Sequence, residues 1–237
     1  MSELKYKRVL LKLSGEALAG KDKYGINAET LENFCQEILG LARQGVQIGI
    51  VVGGGNIFRG ITGTKKGVER TKGDSMGMLA TTINAIAIQS MIEQLGGKAK
   101  VLTSTLMEPY AERFSVNRAI SALEDGFVVV FSGGTGNPFF TTDSASALRG
   151  IEIKADILLK GTRVDGIYTA DPEKDPTATK YDELTFDETI QKKLKVMDLT
   201  AFALCSENGL PIMVFDMTKP GTLERIIKGE KLGTLVK

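Results

Sequence analysis

The stretch Ser132-Gly-Gly-Thr-Gly-Asn-Pro-Phe-Phe-Thr-Thr-Asp143 decides the fold. It follows the apolar run Phe127-Val-Val-Val-Phe131 and leads into Asp143-Ser-Ala-Ser-Ala-Leu148, which has the composition of a helix start. A buried strand, a glycine-rich turn and then a helix is how a chain aims unpaired backbone N–H groups at an anion. Two more turns of this kind lie upstream. Gly53-Gly-Gly-Asn56 follows the strand candidate Val46–Val52, and Ser14-Gly15-Glu16 follows Arg8–Leu13. Three anion-ready turns in one chain suggest several phosphates, hence a donor nucleotide and a phosphorylated acceptor.

Outward from these turns, apolar runs alternate with amphipathic segments. Arg8–Leu13 precedes a helix near 27–44, whose apolar face carries Leu31, Phe34, Cys35, Ile38, Leu41 and Ala42. Val46–Val52 precedes a long helix near 74–95 with Met78, Leu79, Thr82, Ile83, Ile86 and Met91; their periodicity fits a core face or a subunit interface equally. Short strands are expected near 98–103, 126–131 and 156–159. This β-α-β alternation predicts an α/β fold, a three-layer α-β-α sandwich on a mostly parallel central sheet. Ligands then bind at the carboxyl ends of the strands, where all three turns lie.

The later chain is more broken. Val164–Pro172 opens a second sub-region, followed by a polar loop over 173–182. Thr185-Phe-Asp-Glu188 is a capping box and Asp198 a helix cap. A core strand at 211–215, a short helix at 221–228 and an edge strand at 234–236 complete the pattern. The expectation is a single domain over 1–237, with one lobe at about 1–155 and a second at about 156–237, the break falling near Gly161.

Bulk properties exclude several classes. The 237 residues carry a net charge of +1, so no general attraction to nucleic acid or to a membrane surface is expected. Cys35 and Cys205 are isolated and lack metal-ligand spacing, which fits a reducing cytoplasm. No run has the roughly 20 apolar residues of a membrane span. There is no histidine, which removes imidazole bases, phosphohistidine and histidine-ligated zinc. Catalysis must rest on lysine, arginine, carboxylates, hydroxyls and backbone dipoles.

Two lysines are the leading candidates. Lys12 ends an otherwise apolar strand just before Ser14-Gly15, and Lys160 repeats the arrangement before Gly161. Lysine is seldom buried without a partner, so each is read as a cation delivered by a rigid strand to phosphate oxygens. Asp143 beside a phosphate site is tolerable only if lysines flank it. Arg59 and Asp74 follow the second turn, Asp74 as the residue opening the long helix. Gly15–Lys21 nearly matches a phosphate-binding GxxxxGK loop, but Asp22 replaces the hydroxyl residue that the loop requires, so the match is rejected. Gly53–Asn56 likewise fails the GxGxxG dinucleotide pattern.

Taken together, Leu10–Glu16, Gly53–Asn56 with Arg59-Gly60, Gly73-Asp74 with Met76–Ala80, Gly134–Asp143, Val164–Tyr168 with Asp171-Pro172, and Val196–Asp198 resemble the amino-acid-kinase superfamily and, within it, the bacterial-type uridylate kinases. The resemblance runs from about Tyr6 to the end of the chain. It implies ATP-dependent phosphorylation of UMP to UDP in pyrimidine nucleotide biosynthesis, by direct in-line transfer. It implies that Lys12, Leu13, Ser14 and Gly15, with Gly55 and Arg59, hold the ATP phosphates, and that Thr162, Tyr168 and Asp171 hold its adenine and ribose. UMP would lie on Gly54, Asp74 and the run Thr135, Gly136, Asn137, Pro138, Phe139, Phe140, Thr141 and Thr142. Asp143 would orient Lys12 and Lys160 over the transferring group. Magnesium would arrive with ATP, without a protein ligand. The resemblance further implies a cytoplasmic homohexamer, activated by GTP at a segment corresponding to Gly20, Lys21, Asp22, Lys23, Tyr24 and Gly25, and inhibited by UTP. The alternatives are a relative acting on a carboxylate or carbamate, and a non-catalytic nucleotide-binding or oxoanion-storage protein on the same fold.

Overall fold

A computed structural model of the chain describes residues 4–22, 24–58, 67–172, 174–194 and 196–237. Nine strands form one sheet, in the order β4-β3-β5-β2-β1-β6-β10-β11-β9. In chain order these are β1 (Arg8–Leu13), β2 (Gln47–Val52), β3 (Ala99–Thr103), β4 (Glu112–Arg113), β5 (Val128–Ser132) and β6 (Ile157–Thr162). A two-stranded ribbon, β7 (Ile167–Tyr168) with β8 (Lys180–Tyr181), stands apart from the sheet, which resumes with β9 (Glu183–Leu184), β10 (Ile212–Asp216) and β11 (Thr234–Val236). Among the described residues of the main sheet, only the β10–β11 pairing is antiparallel. The central strands are apolar on both sides because both faces are covered.

Helices α1 (Gly15–Ala19), α2 (Ala28–Arg43), α3 (Arg70–Gln94), α4 (Val116–Glu124), α5 (Thr142–Glu152), α6 (Phe186–Gln191), α7 (Leu199–Glu207) and α8 (Thr222–Ile227) connect the strands. Strand alternation sorts the core into two halves. Val9, Leu11 and Leu13 face a layer that includes Cys35 and Ile38 of α2, Ile88 and Ile92 of α3, and Ile226 of α8. Leu10, Val129 and Leu158 face the opposite layer, with Leu123 of α4, Ala145 and Ala147 of α5, and Phe202 of α7. The predicted α-β-α sandwich is the observed architecture.

Several local expectations are corrected. The long helix begins at Arg70, not at Asp74, which sits one turn inside it. Its apolar set, open between core and subunit interface, divides: Leu79 and Ile83 are 54% and 51% exposed and Ile86 is also exposed, while Thr82 is buried and Met91 packs against the core. The face turned inward instead carries Ala80, Thr81, Thr82, Asn84, Ala85 and Ile88. Small and hydrogen-bonding residues were needed there because this helix lies directly on the glycine turns. By length and composition α3 could span a membrane; here it lies on the sheet and carries buried Asn84 into a hydrogen-bond network.

Further along, Thr141 caps α5, accepting from the amides of Asp143 and Ser144. The stretch expected to be loop over 173–182 ends in β8, which pairs with β7. The strand 234–236 is not the sheet edge, because β9 pairs outside it. These short elements have too little periodicity to be seen locally. The capping box at Thr185 and Glu188 and the Asp198 cap form as expected.

Candidate active site

Parity and register place the two lysines. Lys12 lies on the same side of β1 as Leu10, Lys160 on the same side of β6 as Leu158, and the two strands pair with Lys12 opposite Lys160. Both ammonium groups therefore emerge on the α5 side of the sheet, at its carboxyl end. The chain moves from β1 to β2 on one side and returns after β5 to β6 on the other. Such a reversal of strand order opens a crevice, and Lys12 stands at it.

Asp143, in the first turn of α5, meets both lysines. Lys12 Nζ is 2.9 Å from its Oδ1 and Lys160 Nζ is 2.8 Å from its Oδ2. All three side chains are at most 15% exposed. The Lys160 contact is a directed hydrogen bond, and Lys160 also donates to the Val196 carbonyl. The Lys12 contact is an ion pair that is less well directed than the Lys160 bond. Burial acts to raise the Asp143 carboxyl pKa, but the neighbouring ammonium groups of Lys12 and Lys160 outweigh it and hold the group below the usual carboxylate range. Burial pushes the Lys160 ammonium pKa down; the Asp143 charge opposes this and the nearby Lys12 charge adds to it. Two ammonium groups share the single carboxylate of Asp143, with the Asp198 carboxylate a weaker negative influence on Lys160, and such a cluster can receive an anion.

The glycine turns lie on this centre and are locked to each other. Gly53 N–H donates to the Leu13 carbonyl at 2.9 Å. A Cβ on Gly15 would sit 2.4 Å from both Gly53 O and Asn56 Oδ1, so the first two turns cross too closely for any side chain. A Cβ on Gly54 would come within 2.7 Å of Ala80 Cβ and 2.9 Å of the Gly77 carbonyl, so α3 approaches the second turn just as closely.

Helix α3 ties the turns together. Asn84 and Asn56, both fully buried, exchange amide hydrogen bonds of 3.0 and 2.8 Å, and Asn84 also donates to Gly53 O at 2.7 Å. Thr81 Oγ1 accepts from Gly133 N–H at 2.9 Å. Asp74 Oδ2 accepts from Phe139 N–H at 2.8 Å. A cavity of about 130 Å³ is left between the helix and the third turn, lined by Gly54, Asp74, Met78, Thr135, Asn137 and Phe140. Gly133, Gly134, Gly136 and Phe139 all take left-handed backbone angles around it.

The expected acceptor residues Gly54, Asp74, Thr135, Asn137, Phe140, Thr141 and Thr142 thus share one cavity. Gly136, Pro138 and Phe139 belong to the same turn. Leu13, Ser14, Gly15 and Gly55 lie at the crossing beside Lys12. Thr162 ends β6, with its hydroxyl on the Val164 carbonyl; Tyr168 bonds Asp165 at 2.6 Å, and Asp171 pairs with Lys174 at 3.1 Å. These three follow Lys160 along the chain from the carboxyl end of β6. Arg59 and Lys23 lie outside the described residues. Gly20–Asp22 forms a 3-10 turn with Lys21 exposed, in keeping with rejection of the phosphate-loop match. Its neighbour Gly25 is bonded through both backbone groups to Asn56.

Asp198 joins the site from α7. Its carboxylate accepts from the Thr141 and Ser144 hydroxyls and caps its own helix through Ala201 N–H. Asn56, Thr81, Asn84, Ser144 and the wider role of Asp198 were not foreseen. A buried asparagine inside an apolar helix, as at Asn84, is the one signal that could have pointed to them. A larger cavity, about 200 Å³, lies near the amino ends of β1 and β10 around Tyr6, Met213 and Leu235. Charge on its rim is self-neutralised, with Glu183 and Lys237 2.7 Å apart, and no ligand chemistry converges there. Both cysteines are buried and free, and burial pushes each thiol up to about 12, so neither serves as a nucleophile.

The geometry agrees with the comparisons. The Amino acid kinase family model matches residues 7–216. The uridylate kinase of Bacteroides thetaiotaomicron is 60% identical over 232 residues, covering 98% of each chain. That of Porphyromonas gingivalis is 61% identical over 231 residues, 98% of this chain and 97% of the other. This chain belongs to the uridylate kinase branch of the amino acid kinase family. Solved structures agree with the assignment. The UMP kinase of Bacillus anthracis superposes with a TM-score of 0.95 at 38% identity, over 98% of this chain and 96% of that one. The UMP kinase of Ureaplasma parvum gives 0.93 at 34%, over 99% and 100%.

Proposed function

We propose that this chain transfers the γ-phosphoryl group of ATP to the phosphate of UMP, giving ADP and UDP, as a step of pyrimidine nucleotide biosynthesis. The observation that carries this is the convergence of Lys12 and Lys160 on one carboxylate, between the glycine turns and the cavity at Asp74. A phosphate oxygen of UMP attacks the γ-phosphorus in line while the bond to the β,γ-bridging oxygen breaks. The acceptor is already an oxyanion near neutral pH, so no general base is required and a chain without histidine suffices. Such transfers depend on positioning and on neutralising charge over the equatorial oxygens.

In this reading Lys12, Leu13, Ser14, Gly15, Gly55 and Arg59 hold the ATP phosphates, and Thr162, Tyr168 and Asp171 its adenosine. Gly54, Asp74 and residues 135–142 hold UMP. The donor lobe is about 156–237 and the acceptor lobe about 1–155. Asp143 holds the two ammonium groups apart and aimed. Each Asp143 oxygen already faces a lysine. That fits magnesium carried on the ATP phosphates and waters. When bound it supplies charge neutralisation to the phosphate oxygens.

The exposed stripe Met76, Leu79, Ile83 and Ile86 supports self-association, which we take to build the homohexamer. Control by GTP and UTP and a cytoplasmic location complete the reading. The deciding experiment is steady-state turnover: ATP consumption that requires UMP, with CMP a poorer acceptor. ATP consumption indifferent to UMP, or CMP turned over as fast as UMP, rejects it.

A further inference from the structure

Arg70 occupies the first position of α3, where it gives little to the helix itself. A cation there faces the positive end of the helix dipole, and the order Arg then Asp at i, i+4 is the weaker orientation of such a pair. Yet its Nε contacts both oxygens of Asp74, at 3.0 Å to Oδ1 and 2.9 Å to Oδ2. Asp74 is only 15% exposed, while Arg70 remains 46% exposed behind it. The same Oδ2 accepts from Phe139 N–H at 2.8 Å, at a residue held in the left-handed region with φ of 70°. The guanidinium also stands 5.8 Å from the Phe139 ring. Arg70 does not line the cavity; Asp74 does.

We infer that Arg70 is a positioning residue for the acceptor. It fixes the rotamer of Asp74, so that Oδ2 anchors the Phe139 turn while Oδ1, with a single partner among the described residues, faces a neutral hydroxyl-bearing group such as the sugar of the acceptor nucleotide. A carboxylate has about four lone-pair sites, so three are used and one is left for a ligand hydroxyl. Lysine could not replace this arginine in full, because its ammonium is a point charge on a flexible stem. The inference rests on the acceptor being seated at Asp74.

The test compares Arg70→Ala, Arg70→Lys and Asp74→Asn with the full-length enzyme, measuring kcat, both KM values and Tm. Arg70→Ala should raise KM for UMP about tenfold, with KM for ATP and kcat within about twofold and Tm nearly unchanged; Arg70→Lys should recover part of the loss. An unchanged KM for UMP in Arg70→Ala, with Asp74→Asn impaired, overturns the role of Arg70 and leaves the acceptor assignment standing. Normal UMP kinetics in Asp74→Asn overturns both. A parallel loss in both KM values, kcat and Tm overturns positioning in favour of a structural role.

Discussion

Lys12 stands directly opposite Lys160 across the β1–β6 pairing, and the two ammonium groups take opposite oxygens of Asp143. Two like charges on neighbouring strands repel, and burial raises that cost. The carboxylate between them makes the arrangement tolerable in the free protein and, being shared, leaves both cations able to attract a migrating phosphoryl group.

Replacing either lysine with alanine should therefore lower kcat about 10²–10³-fold, the effect of losing one contact worth about 2.7–4 kcal/mol in the transition state. Circular dichroism should show the fold retained. Near-normal kcat in both variants would remove the pair from the chemistry.

Asp143→Asn should be harmful in a different way, because it leaves two ammonium groups without a counter-charge. Breaking a buried pair by removing one partner costs about 3–5 kcal/mol. In the wild type the Asp143 carboxyl is held below its ordinary value. Its contribution to stability is then full above the unfolded carboxyl pKa of about 3.9, and is lost as pH falls through the lower folded value. Thermal melts between neutral and acid pH should show this acid-labile part in the wild type and not in Asp143→Asn.

The depressed Lys160 ammonium predicts an alkaline limb as well. Since the charged form is needed to receive phosphate, kcat/KM should begin to fall at a pH below the ordinary lysine value of 10.5. A pH profile of kcat/KM checks this, and a value undiminished up to 10.5 would count against it.

Asn84→Ala removes the donor to the buried Asn56 Oδ1 and to the Gly53 carbonyl, while Asn56 Nδ2 keeps its bond to the Gly25 carbonyl. Each buried polar group left unpaired costs about 1–3 kcal/mol, so Tm should drop by several degrees. Activity per folded molecule should fall too, because the turns beside Lys12 lose their brace. A Tm within a degree of wild type would show that water or a neighbour replaces the lost bonds.

Leu79→Glu and Ile83→Glu place charge in the exposed stripe of α3 without touching the core. Light scattering after size exclusion should report a smaller assembly than the wild type, with the monomer still folded. An unchanged mass would put the subunit contact elsewhere.

Strand alternation, glycine turns and isolated strand-end lysines are local signals, and they determined the sandwich, the mostly parallel sheet and the choice of Lys12, Lys160 and Asp143 as candidates. Side-chain type and spacing along one strand are enough for that, because a backbone period of two dictates which residues share a face. Only the tertiary structure decided that the two lysines share a register position, which oxygen of Asp143 each one takes, and that α3 turns Asn84, Thr81 and Asp74 toward the three turns while Leu79 and Ile83 face outward. Those relationships join residues far apart in the chain. They depend on strand order and on how closely a helix can approach a glycine backbone, and neither is encoded within a single helix or strand.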